Sequence, residues 1–86
     1  MLPDITPATI LNLILEQQIV EPFEPIDVQA DLFAAGLDST AMMQLLLHIE
    51  DSFGIAIQPG EMKRERFVTA AALAAFLLEK RSLQTR

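Results

Sequence analysis

The chain has no cysteine and one histidine, His48, and it carries no lysine or arginine before Lys63. The missing cysteine excludes a disulfide framework, a thiolate nucleophile and a cysteine metal site, and a lone histidine cannot form an imidazole cluster, so no metal site is expected. No apolar run approaches the roughly 18 residues that a membrane span requires. The opening "MLPDITPAT" lacks the basic stretch and apolar run of a secretory leader. A soluble, cytoplasmic protein in a reducing compartment, with no membrane insertion, is expected. At 86 residues the chain forms one small domain, 1–86. That length leans away from an enzyme, because little chain remains to enclose a deep active site and the scaffold that holds it.

Six bases oppose twelve acids, for a net charge of −6, and the two signs are segregated. Residues 1–62 hold ten acids and no base, whereas residues 63–86 hold six bases and two acids. An acidic surface of this kind repels nucleic acid and anionic lipid and favours basic protein surfaces, so protein partners and no nucleic acid are expected. Charge that merely keeps a half-apolar domain in solution explains the same composition.

Helical signals dominate. Thr6 as N-cap and Pro7 at the first helical position open a helix that the periodicity of Ile10, Leu11, Ile14 and Leu15 carries to about Val20, where "EPFEP" stops it. Residues 21–37 show no clean period, and Phe23, Ile26, Val28, Leu32 and Phe33 are expected to pin this long loop to the core. A second helix runs from Asp38, its cap, to about Phe53, with Gly54 as its stop. "EMKRERF" is expected to form one or two turns held by Met62 and Phe67. Thr69 caps a final helix, from Ala70 to about Lys80, that buries Leu73, Phe76 and Leu77, and the last five residues are expected to fray. The fold class is all-α: a small four-helix bundle of three main helices and one short one, with a long first loop.

Within "DLFAAGLDSTAMMQLLLHIE", Ser39 falls in the first turn of the second helix. Backbone N–H groups and the helix dipole favour an anion there. Alone, "DS" before a helix is a cap and nothing more. The surrounding pattern resembles the acyl carrier protein family, which includes aminoacyl and peptidyl carriers. "DLFAAGLDS" opens the second helix, "HIEDSFGI" closes it, and the resemblance spans nearly the whole chain. It implies that Ser39, in a G-x-D-S signature with Gly36 and Asp38, carries a 4′-phosphopantetheine arm transferred from coenzyme A by a phosphopantetheinyl transferase. It further implies that the arm's thiol holds an acyl group as a thioester, that partner enzymes supply the catalysis, and that the chain works as a monomer. Asp38 is then a transferase contact as well as a cap. In this family the residue after the serine is usually Leu, Met or Ile. Here it is Thr40, which weakens an apolar partner contact.

Along the second helix Met42, Leu45, Leu46, Ile49 and Phe53 belong to the core, and Met43 and Leu47 extend the apolar arc beyond one buried stripe. With Thr40, Glu50 and Asp51 they are the candidate partner contacts. Fatty acid carriers usually place acids in the early turns, where this chain has "TAMMQLLL". That resembles standalone aminoacyl and peptidyl carriers, including D-alanyl carriers, so an adenylating or ligase-type loading enzyme is expected, followed by acyl-transfer or tailoring enzymes. A fatty acid or polyketide carrier is the alternative. Lys63, Arg64 and Arg66 read as a solvated face, with a second partner contact as the alternative. The reading from another class is an unmodified helical interaction module in which Ser39 only caps. A calcium loop at Asp31 fails because Phe33 and Ala35 stand where oxygen ligands are needed, and a DNA-reading helix fails because the second helix carries no base.

Overall fold

A computed structural model describes residues 4–84. The elements are α1 (Pro7–Glu16), α2 (Ser39–Phe53), a 3₁₀ turn (Pro59–Glu61), α3 (Arg64–Phe67) and α4 (Ala70–Gln84), with no strand among the described residues. Helix α4 is the hub. It packs against both α1 and α3, and its Leu73, Ala74, Phe76 and Leu77 join Ile10 and Ile14 of α1, Leu45, Ile49 and Phe53 of α2, and Phe67 of α3 in one core. Phe67 and Phe76 meet edge to face, with centroids 6.3 Å apart. No polar side chain is buried among the described residues, so the core in which these short helices meet is held by apolar contact.

Helix α1 begins as its sequence dictates. The Thr9 N–H donates to Thr6 Oγ1 at 3.0 Å and Pro7 occupies the first helical position. It ends at Glu16, short of the expected Val20. Gln18 takes a left-handed conformation at φ 56°, its N–H donates to the Leu15 carbonyl, and the Ile19 N–H donates to the Ile14 carbonyl. This is a Schellman closure, built on glutamine where glycine is usual. It turns Ile19 and Val20 back into the core, and these buried residues are what prolonged the apolar pattern.

The loop from 21 to 37 is tied down by backbone and side chain together. The Leu32 N–H donates to the Val68 carbonyl at 2.7 Å, and the Val28 carbonyl accepts from the Ala71 N–H at 3.0 Å, so the loop clasps the junction of α3 and α4. Leu32 is fully buried, and Ile26, Val28 and Phe33 pack against the core as expected. Phe23 does not, for its side chain stands wholly in solvent. The flanking Pro22 and Pro25 keep this stretch from continuing as a helix.

Helix α4 is capped by Thr69, whose Oγ1 accepts from the Ala72 N–H at 2.9 Å, and it continues past Lys80 to Gln84. Of the five residues expected to fray, 82–84 are helical, and 85 and 86 lie outside the described residues. No glycine or proline follows Lys80 to stop the helix, and Lys80 anchors its last turns by donating to both carboxylate oxygens of Glu61, at 2.6 and 2.8 Å. The lysine holds the Glu61 carboxyl below its ordinary value, helped by the Gln58 N–H that also donates to it. A lowered folded-state pKa contributes stability that is present above the unfolded carboxylate value and is lost as pH falls through the folded one. Wild type should therefore melt above Glu61→Gln at neutral pH, and the gap in Tm should close on acidification below the ordinary carboxylate range. A pH-independent gap in paired melting curves would contradict the role assigned to the pair.

Candidate functional site at the start of helix α2

The stretch from Asp31 to Ser39 folds as two caps in series. Asp31 Oδ1 accepts from the N–H groups of Phe33 and Ala34, at 2.9 and 3.2 Å, and opens a single helical turn. Gly36, at φ 121°, closes that turn. Its N–H donates to the Phe33 carbonyl, while the Leu37 N–H reaches back to the Leu32 carbonyl at 2.9 Å. Any side chain at Gly36 would be strained by this backbone conformation, even though the space around it is open. Leu37 is thereby driven into the core, and the next residue, Asp38, becomes the cap of α2. Its Oδ1 accepts from the Ala41 N–H at 2.8 Å.

Ser39 is the first residue of α2 and is exposed. The N–H groups of Ser39 and Thr40 occupy helix positions that have no carbonyl acceptor within the helix, so the hydroxyl sits where the helix favours an anion. The geometry suits a phosphate ester on the Ser39 oxygen. An open groove of about 510 Å³ lies beside it, lined by Phe33, Leu37, Met42, Met43 and Met62 together with Asp38 and Ser39. Three of its walls are methionine thioethers, which are flexible and polarizable. The arrangement offers an accessible oxygen nucleophile, an anion-favouring helix end and an apolar trough. Among the described residues no group of acids and histidines could hold a metal ion.

The exposed candidates on α2 fall on one face. At about 100° per residue, Ser39, Glu50, Met43, Leu47, Thr40 and Asp51 span an arc of about 120°. The opposite arc holds the buried Ala41, Leu45, Ile49 and Phe53. Met43 and Leu47 are 67% and 66% exposed. Met43 also lines a second trough with Leu46, Leu47, Glu50, Ala56 and Ile57, so an apolar strip leads from Ser39 along the helix. His48 is half-buried on another side.

Two walls of the Ser39 groove, Phe33 and Met62, come from outside α2 and were expected only to hold the fold. Met62 is 39% exposed. An apolar residue without a periodic partner in "EMKRERF" was the available signal. The basic cluster is also more engaged than a solvated face would be. The Arg64 guanidinium lies 4.1 Å from the Phe33 ring centre and that of Arg66 lies 4.5 Å from the Phe76 ring centre, and Arg66 Nη1 donates to the Glu61 carbonyl at 3.0 Å. Arg64 therefore stacks on the outer wall of the groove.

Residues 8–77 match the family described as phosphopantetheine attachment site. An aminoacyl carrier protein of Agrobacterium fabrum is 39% identical over 56 residues, 65% of this chain and 68% of the relative. A D-alanyl carrier protein of Lactococcus lactis subsp. cremoris is 36% identical over 75 residues, 77% of this chain and 95% of the relative. The fold superposes with TM-score 0.69 and 32% identity, over 85% of this chain and 96% of the other, on a chain from the crystal structure of an engineered Bradyrhizobium japonicum glycine:[carrier protein] ligase complexed with a carrier protein from Agrobacterium tumefaciens and ATP.

Replacing Met43 and Leu47 with serine should change stability by no more than about 0.5 kcal/mol, the usual range for exposed positions. The same pair of changes should slow every reaction in which another protein must reach Ser39. Denaturant unfolding of the double variant checks this, since a loss of about 2–5 kcal/mol would place the two side chains in the core.

Proposed function

The chain belongs to the phosphopantetheine attachment site family, and from that premise we propose that Ser39 carries the 4′-phosphopantetheine arm and that the protein presents an aminoacyl or similarly small acyl group on it to partner enzymes. The observation that carries the proposal is the exposed Ser39 hydroxyl at the first position of α2, behind a Gly36–Asp38 turn. Transfer forms a bond between the Ser39 oxygen and the phosphate next to pantetheine in coenzyme A. The pyrophosphate linkage breaks and the nucleotide half leaves, while a phosphopantetheinyl transferase removes the serine proton. Ser39 then bears a phosphodiester anion, which the N-terminal dipole of α2 stabilises. Once attached, the arm supplies a thiol that holds its cargo as an activated thioester.

The chain's own residues bind and position. Asp38 holds the helix end in shape through Ala41 and adds a carboxylate next to Ser39 for a transferase to contact. Met43, Leu47 and Thr40 offer the adjoining apolar surface, and Glu50 and Asp51 add charge further along. The chemistry is left to partners, which gain a high effective concentration of a tethered intermediate. This assigns the protein no catalysis of its own.

The aminoacyl reading rests on two supports. The relatives are named aminoacyl and D-alanyl carriers, and the structural relative comes from a complex with a glycine ligase. The first two turns of α2 also hold no carboxylate after Asp38, so a basic transferase surface of fatty acid synthesis would find little to steer it. A ligase-type loading enzyme that uses ATP and an amino acid is the partner proposed, with acyl-transfer or tailoring enzymes acting downstream.

One staged experiment tests both parts. Incubation with coenzyme A and a broad-specificity transferase should add the phosphopantetheine mass to wild type and nothing to Ser39→Ala. An amino acid, ATP and an adenylating ligase should then add an aminoacyl mass to the arm-bearing form, while a malonyl transferase should load it poorly at low and moderate salt. Arm attachment to Ser39→Ala would overturn the site, and efficient, salt-sensitive malonyl loading would overturn the aminoacyl cargo.

A further inference from the structure

We propose that the surface around Phe23 is a second docking point, separate from the exposed strip of α2, for a protein partner that presents cationic side chains around an apolar recess. The inference rests on the carrier reading only in assuming that partners visit Ser39. Phe23 has a relative exposure of 107%, so the fold gives its ring no burial. An aromatic side chain in that state leaves its full apolar area to water, and such rings usually find cover in a core or an interface. Pro22 and Pro25 bracket Phe23 and limit what the backbone has left to lose when the ring is captured.

The ring stands over an open groove of about 610 Å³ whose lining includes Ile26 and Gly36 and three acids, Glu21, Glu24 and Asp31. No lysine, arginine or histidine lines it. An exposed aromatic set among carboxylates matches the anatomy of an interface hot spot, an apolar anchor inside a charged rim. The sign of the rim selects the occupant. Anionic lipid would be repelled, and a second copy of this chain would bring ten acids and no base in its own first 62 residues, whereas a basic protein surface is attracted. Gly36, which lines the groove, precedes Ser39 by three residues, so that wall of the groove and Ser39 are separated by at most about 11 Å of chain. A protein seated on Ser39 is therefore close to one wall of this groove.

The test uses the glycine:[carrier protein] ligase of Bradyrhizobium japonicum as the probe. Binding of the fluorescently labelled full chain, without the arm, is measured by anisotropy for wild type, Phe23→Ser and the double variant Glu21→Gln/Glu24→Gln. Phe23→Ser should weaken binding on the order of tenfold, as for loss of an aromatic anchor, with its melting temperature unchanged. The double variant should weaken binding at low salt and match wild type at high salt. Absence of binding by wild type, equal affinity for Phe23→Ser, or Phe23-dependent self-association in sedimentation would each overturn the docking point. Arm transfer from coenzyme A, followed by intact mass on the same samples, reports separately on the carrier reading. A chain that takes the arm while its affinity ignores Phe23 loses the docking point alone. Where no arm is taken the carrier reading falls, and the affinity series still decides the role of Phe23.

Discussion

The reach of the Leu37 N–H back to the Leu32 carbonyl closes the turn from which the rest of the site follows. With Gly36 in a conformation that side chains rarely adopt, the closure drives Leu37 into the core and leaves Asp38 as the residue that must begin the next helix. Asp38 then satisfies the Ala41 N–H, and Ser39 becomes the first helical residue with its hydroxyl in solvent. Sliding this turn by one residue would bury a polar side chain in a core that has none among the described residues. Burial of Leu32 and Leu37 therefore sets the register of α2.

That register divides α2 between two tasks. Leu45, Ile49 and Phe53 belong to the common core with α1, α3 and α4, and the opposite arc carries the proposed attachment oxygen and an uncovered apolar strip. Met43 and Leu47 leave most of their apolar surface in solvent, which fits the proposed contact with visiting proteins. The groove between α2 and the segment before α3 is likewise lined by side chains that can adapt, with three methionines and a phenylalanine held in place by an arginine. A surface of this kind suits a carrier that meets several partners in succession. On the proposed reading, charge on the acidic loop and at the far end of α2 steers encounters more than it adds affinity.

Much of this was legible in the residues. Thr6, Pro7, Asp38, Gly54 and Thr69 mark helix ends through local chemistry that acts within a few residues, and all five act in the structure as their types dictate. Burial of Leu73, Phe76 and Leu77 follows from helical periodicity, which also sets Met43 and Leu47 outside the core stripe without saying whether the long loop covers them. What failed was set by longer-range or atypical geometry. The end of α1 depends on a glutamine in a left-handed conformation, which no residue preference signals. The last turns of α4 are joined to the rest by a salt bridge between residues far apart in sequence, Glu61 and Lys80. Phe23 looked like a core residue because hydrophobicity alone does not say on which side of a proline-bounded loop a ring will lie. Phe33 and Met62 became walls of the Ser39 groove because tertiary packing brought two separate segments to one place.

The central claim is that the fold singles out one oxygen. The chain offers other hydroxyls, including Thr40 immediately beside Ser39 and Ser52 near the end of the same helix, and only Ser39 occupies the first helical position behind the Gly36 turn. Fragmentation mass spectrometry of the arm-bearing protein reads the attachment atom directly. The account predicts phosphopantetheine on Ser39 and on no other residue, and an arm found on Thr40 or Ser52 in the folded wild-type chain would contradict it.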